Sequence, residues 1–430
     1  MNKSLFIIIL PLLVFTACSK SDDSAPAIVY PEMAEAVSPT ILTEVNGVKV
    51  YNGGFGSSMV LDPRDASVFY MLTDRGPNID GTIANSKVFS NPNFAPQIGK
   101  FRLKGKELIL ESTIELKNEN GVKLNGLPNP IGFGNSGELA LDLAGGILAP
   151  NADGLDSEGL ALAPDGSFWV SDEYGPHIVH FDATGRTIER INPFGSGKGG
   201  RKIPLVFARR RPNRGMEGLT ITPDGKTLVG MMQFPLFNPS SAAITGSLAI
   251  RILTFDIASG DTKQYIYLME RANLQASSEI VAITNTTFLV LERDGEYATE
   301  ATKTTVFKKI FKIDLAGATD VSDPSNSVGG KLFGGKTVEE LKDAATLASN
   351  GIIPVRKTLA VDLMTDISSL YPHDKAEGIV IINPSLIAVC NDDDFGITTG
   401  AGASYIAKNL PSLNSVDKNR VYFIKLKSPL

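Results

Sequence analysis

The stretch SEGLALAPDGSFWVSDEYGPHIVHFDATGRTIERIN, residues 157–192, alternates apolar and polar side chains in four short runs with turn residues between them. Residues 158–163, 167–172, 177–182 and 187–192 each carry the period of two that buries one face of a strand. Pro-Asp-Gly, Tyr-Gly-Pro and Ala-Thr-Gly separate them. Proline presets φ and glycine tolerates positive φ, so the first and last of these breaks suit tight hairpin turns. The stretch reads as a four-strand antiparallel meander.

The opening of that meander recurs. SEGLALAPDGSFWVSDE (157–173), MEGLTITPDGKTLVGMMQ (216–233), SEIVAITNTTFLVLERD (278–294) and AEGIVIINPSLIAVCNDDD (376–394) each begin a strand with a glutamate, and SSMVLDPRDASVFYMLTDR (57–75) is a fifth copy without the acid. A meander of about 40 residues repeated along a chain is the signature of a β-propeller blade. The expected fold is therefore all-β: a propeller with five legible repeats, six possible, built of four-stranded antiparallel blades. Paired sandwiches are the alternative, but they do not repeat a first-strand motif in register. A sixth blade has room in residues 118–150, where GELALDL is the one convincing strand, and a strand within residues 41–51 is expected to close the ring. The long interval between Glu279 and Glu377 holds TVEELKDAATLAS, a short helix with a capping box at Thr337 and Glu340.

With 430 residues, 43% of them apolar, the chain can bury a large core in one domain, placed at residues 41–430. A net charge of −6 argues against nucleic acid as a partner, although Arg209, Arg210, Arg211 and Arg214 form a local basic cluster. Residues 1–17 have the pattern of a signal peptide, with Lys3 ahead of an apolar run. Phe15-Thr16-Ala17-Cys18 resembles a lipobox, which makes Cys18 the expected lipidation site and residues 18–40 a flexible tether. The acidic stretch at residues 19–23 is similar to export tags, so the expected location is the outer membrane or cell surface, lipid-anchored. Cys390 lies in an apolar strand and reads as core.

First strands line the channel of a propeller, so Glu158, Glu217, Glu279 and Glu377 are expected as a ring at one level. Two readings stand for it: carboxylates bridged by a cation such as Ca²⁺, which takes several oxygens in flexible geometry, or acids that accept backbone hydrogen bonds from neighbouring blades. A second acidic set ends the second strands: Asp74, Asp172 with Glu173, Glu292 with Asp294, and Asp392 to Asp394. Within it Asp392 and its two neighbours are the best individual candidate for Ca²⁺. Arg75, His177, Arg293 and the Arg209 to Arg214 cluster fall near the same rim; an arginine fork suits phosphate or carboxylate, and equally an ion pair with those acids. No G-x-S-x-G elbow and no P-loop are present, and three histidines with two cysteines argue against zinc.

DGLDSEGLALAPDGSFWVSDEYGPHIVHFDATGR and RRRPNRGMEGLTITPDGKTLVGMMQ, with TDRGPN, NGLPNP and KAEGIVIINPSLIAVCNDDDFG, resemble the phytase-like family, described by its esterase-like activity of phytase. The resemblance runs over residues 53–426. It implies a hydrolase acting on ester bonds. By analogy with calcium-dependent propeller phytases it implies Glu158, Glu217 and Glu377 as metal ligands, and Arg75, His177 and Arg214 as phosphate contacts. Ser57-Ser58 and Met232-Gln233 depart from the acidic pattern. The expectation is a surface-anchored, monomeric, calcium-dependent phosphoester hydrolase using metal-activated water, whose catalytic residues the sequence does not name. A non-catalytic propeller binding a glycan or another anionic ligand, and a carboxylesterase, are the alternatives.

Overall fold

The computed structural model describes residues 28–37, 39–135, 137–272 and 275–430. Cys18, the segment expected as a signal peptide and the first part of the expected tether lie outside the described residues. Among those described, no helix is long and apolar enough to cross a membrane.

The chain is predominantly β. The opening meander forms as the alternation demands, with strands Ser157–Leu162, Phe168–Asp172, Ile178–Phe181 and Thr187–Ile191 paired in sequence order. Two further antiparallel sheets repeat the plan: Met216–Ile221, Thr227–Met232, Ala249–Asp256 and Thr262–Leu268, then Ala276–Ala282, Thr287–Arg293, Lys308–Asp314 and Arg356–Asp362. We call these units II, III and IV. An eight-stranded sheet contains the other two repeats. Unit I is Ser58–Leu61, Val68–Leu72, Gln97–Lys104 and Glu107–Glu115; unit V is Ile379–Asn383, Leu386–Cys390, Arg420–Lys425 and Met33–Ala36.

The closing strand is thus not the expected one. Met33–Ala36 pairs antiparallel with Arg420–Lys425 and parallel with Glu107–Glu115, joining units V and I. The segment expected to close the ring instead folds on itself as the hairpin Ile41–Val45 and Val48–Tyr51. Within residues 18–40, expected as a flexible tether, Met33–Ala36 is thus a strand of the sheet. Among the described residues, 118–150 do not build a sixth unit: the strand found there, Leu139–Leu141, joins Ser86–Phe89 and Asn78–Asp80 in a three-stranded sheet. The expected single helix is two short ones, Val338–Leu341 and Ala344–Ser349, with Lys342 between them at φ +62°. The capping box at Thr337 and Glu340 forms.

The first strands of the five units lie against one another in a closed cycle, I to II to III to IV to V and back to I. The glycine after the motif glutamate permits this. A Cβ on Gly159 would stand 2.4 Å from the Leu219 backbone nitrogen, and one on Gly378 would stand 2.8 Å from that of Met59. Apolar clusters fill the seams between units: Tyr70 and Ile98 meet Val170 and Phe181, Leu291 meets Val389, and Phe69 meets Phe423. Cys390 is fully buried in one of them, as the apolar strand implied.

Candidate active site

The ladder of each first strand is irregular at its start. The register shifts between Ser157 and Leu160 in unit II, between Met216 and Gly218 in unit III, and between Ser277 and Glu279 in unit IV. An extra residue at such a point leaves the ladder and re-aims its side chain. The irregularities sit beside the motif glutamates, and Glu158, Glu217 and Glu377 all line one pocket of about 320 Å³.

Eight carboxylates line that pocket, those of Asp74, Asp80, Asp156, Glu158, Glu173, Glu217, Glu377 and Asp394, against five cations, Arg75, Lys87, Arg214, Arg293 and Lys375. The starts of the first strands and the ends of the second strands thus meet, as expected, at Asp74, Glu173 and Asp394. Asp156, Glu158 and Glu173 bring one carboxylate oxygen each within 4.8 Å of one another, and all three are buried. Burial pushes the Glu158 carboxyl well above its ordinary value, and the charges of Glu217, Asp156 and Glu173 add to it. Asp156 is raised for the same first reason, against the pull of Arg75. One buried oxygen of Glu217 accepts no hydrogen bond, and one of Asp156 meets only the Arg75 guanidinium, at 3.3 Å. A set of hard oxygen donors, short of partners and mutually repelling, could coordinate a divalent cation.

The rest of the expected ring divides. Arg293 stands between Glu377 (2.5 Å) and Glu217 (4.0 Å), occupying the place where a shared cation was expected. Gln233 donates to Glu217 at 2.6 Å, so a departure from the acidic pattern serves as its partner. Glu279 does not line the pocket: the Ser58 hydroxyl from across the ring and the backbone N–H of the adjacent Ile280 donate to it, so hydrogen bonds hold it, though these two donors are a side chain and its own strand. Ser58 stands where the fifth copy lacks an acid, and its partner explains the departure.

Arg75 is deeply buried and multiply held, with Nη1 3.0 Å from Glu138, 3.0 Å from the Tyr174 hydroxyl and 3.3 Å from Asp156. Those charges outweigh burial and keep its guanidinium protonated well beyond its usual range. Arg214 reaches Glu173 at 3.3 Å and lies 5.8 Å from the Phe234 ring centroid. Two expected residues are placed elsewhere. His177 is fully buried, 3.0 Å from Asn129 of NGLPNP, and burial pushes its imidazole well below its ordinary value, so it holds a neighbouring loop rather than lining the pocket. Asp392 is engaged by Lys375 at 2.7 Å, and of its run only Asp394 lines the pocket. Asp394 accepts from Lys375 and from Lys408, both at 2.6 Å, and Asp393 from the backbone of Gly54 and Phe395.

Sequence reasoning did not single out Asp156 or Lys375. Both carry a signal: Asp156 is two residues before Glu158, a spacing that shares a face in extended chain, and Lys375 is two before Glu377. Asp172, expected at the rim, accepts instead from the backbone N–H of Asp156 (2.8 Å) and Gly175 (2.6 Å), holding the two ends of the Asp156 to Glu173 arrangement together.

A family model described as phytase-like, esterase-like activity of phytase, matches residues 51–395. An uncharacterized secreted protein of Arthroderma benhamiae is 28% identical over 356 residues, 64% of this chain and 66% of that protein's length. Among solved structures, hydrazine synthase of Kuenenia stuttgartiensis aligns over 82% of this chain and 81% of its own at 14% identity and a TM-score of 0.34. A streptogramin B lyase aligns over 87% and 94% at 10% identity and 0.29. Likeness at those scores bears on neither fold nor chemistry.

Proposed function

The chain belongs to the phytase-like family, and from that premise we propose that it is a calcium-dependent phosphoester hydrolase working in the acidic pocket. Membership supports a hydrolase in general. The observation that carries the finer reading is the buried set of Asp156, Glu158 and Glu173, in which no cation pairs with Glu158 among the described residues, beside Arg75 and Arg214. The donors are all carboxylate oxygens, which suit Ca²⁺. The five units, whose first strands close a cycle, are read as a five-bladed β-propeller with this pocket at one mouth of its channel.

Asp156, Glu158 and Glu173 would hold the cation, with Glu217 as a further ligand through its free oxygen. Bound there, a divalent ion neutralises charge on phosphate and lowers the pKa of a bound water. The protein's own groups do the rest. Arg75, fixed by Glu138 and Tyr174, holds Asp156 in place rather than meeting substrate. Arg214, the most exposed of the cations at 38%, is the anion contact. Asp74, pushed up to about 6 by burial, is the pocket carboxyl suited to pass a proton near neutrality.

We further propose that Cys18 carries a lipid and that the mature protein is a cell-surface monomer. Cys18→Ala protein that still partitions with membranes would contradict the anchor. Among the described residues the Ser167–His180 pair does not support the carboxylester reading: Ser167 is 2.8 Å from His180, but Asp165 hydrogen-bonds the serine and not the histidine. The deciding test is a screen of phosphoesters and carboxylesters with the purified protein, with and without calcium. Phosphoester turnover that chelator abolishes is expected. Calcium binding without turnover would move the reading to a ligand-binding propeller.

A further inference from the structure

We infer that Arg214 is a switch that makes anion binding conditional on the cation, by exchanging Glu173 for the anion when Glu173 turns to the metal. The inference rests on the cation-dependent reading above and adds an order of events to it. Eight carboxylates facing five cations leave the metal-free pocket repulsive to phosphate. Its cationic side chains are also committed: Arg75 to Glu138 and Asp156, Arg293 to Glu377, Lys375 to Asp392 and Asp394, and Lys87 to Asp80. Arg214 is committed most loosely, by one contact of 3.3 Å to Glu173 and one of 2.6 Å to the neighbouring Asn213 carbonyl, and its side chain reaches solvent.

Glu173 is thus shared between two roles. It belongs to the carboxylate trio and it is the only acid paired with Arg214 among the described residues. A divalent cation on the trio competes with Arg214 for that carboxylate at short range, and the stronger charge wins. The released guanidinium swings at a rim that it shares with Arg211: both lie over Phe234, at 5.8 Å and 5.0 Å from the ring centroid. Two guanidiniums without a carboxylate between them favour an anion. Linkage makes the effect reciprocal, so phosphate must tighten the cation by the factor with which the cation tightens phosphate.

Calorimetric titration of calcium into the purified protein, with and without inorganic phosphate, tests this. Phosphate should tighten calcium about tenfold in the wild type, within the usual range of such couplings. Direct bridging of cation and phosphate would give the same result, so the variants decide. Without phosphate, Arg214→Gln should tighten calcium several-fold more than Arg211→Gln, which removes the same charge from the same rim without touching Glu173. Glu173→Gln should admit phosphate in the absence of calcium, whereas Asp74→Asn, which removes a pocket charge away from Arg214, should not. Equal behaviour of the two arginine variants, or of the two acid variants, overturns the switch while leaving the cation site standing. A wild type that binds no calcium removes both.

Discussion

Two acidic clusters flank the same pocket, and they have opposite histories of partnership. Asp392, Asp393 and Asp394 are three acids in a row, the most conspicuous anionic stretch in the second-strand set, and each is satisfied by the protein itself through Lys375, Lys408 and backbone N–H groups. Asp156, Glu158 and Glu173 are scattered across a hairpin and less conspicuous in the sequence; Arg75 and Arg214 reach Asp156 and Glu173 only at 3.3 Å, and among the described residues no cation pairs with Glu158. Density of acids along the chain is therefore a poor guide to a cation site. What decides is whether lysines and arginines from distant positions have already filled the space, as Lys408 has from across a hairpin insertion.

The largest effect should come from removing that filling. Lys408 is buried, with its ammonium 2.6 Å from Asp394, 2.9 Å from Asp374 and 3.1 Å from the Asp392 carbonyl. Lys408→Met takes a buried ammonium away from the half-buried Asp374 and Asp394, of which Asp394 keeps Lys375, and should destabilise the protein by about 3 kcal/mol in chemical denaturation. A loss below about 1 kcal/mol would mean the two clusters differ less than their geometry states.

Next in size is the response to calcium. If the second cluster takes the ion in the native state alone, saturation at a hundred times the dissociation constant adds about 2.7 kcal/mol, read as a higher melting temperature. Asp156→Asn should abolish the rise, and Asp392→Asn should keep it. A rise that follows Asp392 instead would reverse the assignment of the two clusters.

How much of this the sequence could reveal follows from the same contrast. Local signals were legible: the period of two drew the four strands of unit II nearly to the residue, the turn chemistry separated them, and the motif glutamates Glu158, Glu217 and Glu377 do meet in one pocket with Arg75 and Arg214. Pairings between remote segments were not. Met33–Ala36 has four residues and no alternation that distinguishes it from residues 41–51, and its place is set by the free edge of Arg420–Lys425. His177 looked like a rim cation because it follows a turn, but Asn129, 48 residues earlier, determines its role. Arg293 between Glu217 and Glu377 could not be read from spacing, because an ion pair and a metal ligand set use the same residue types.

A smaller change separates the clusters in the metal-free protein. Burial penalises the charge on Glu158, and its neighbours repel it, so Glu158→Gln should leave stability without calcium unchanged or raise it by about 1 kcal/mol. Asp394→Asn should lower it, since Lys375 and Lys408 lose a partner each. Denaturation of both variants in chelator measures the difference in sign, and two losses of similar size would erase it.

The smallest effect, and the most specific, is the proton count. Burial pushes Asp394 up, but Lys375 and Lys408 outweigh it and hold the carboxyl well below its ordinary value, so it is ionised at neutral pH whatever else binds. Burial and like charge instead hold Asp156 and Glu158 well above theirs. A raised folded-state value means that their contribution to stability is fully present below the ordinary carboxylate range and is lost as pH rises through the folded values. A depressed value gives Asp394 the reverse dependence, present at neutrality and lost in acid. Calcium can bind only the ionised trio, so binding at pH 7 should release on the order of one proton, and affinity should rise with pH. Calorimetry in two buffers of different ionisation enthalpy reads the release directly. Asp156→Asn should remove it together with binding, and Asp392→Asn should leave it in place. An enthalpy independent of buffer would mean the trio is already ionised without metal, and that Arg75 and Arg214 neutralise it as completely as the lysines neutralise its neighbour.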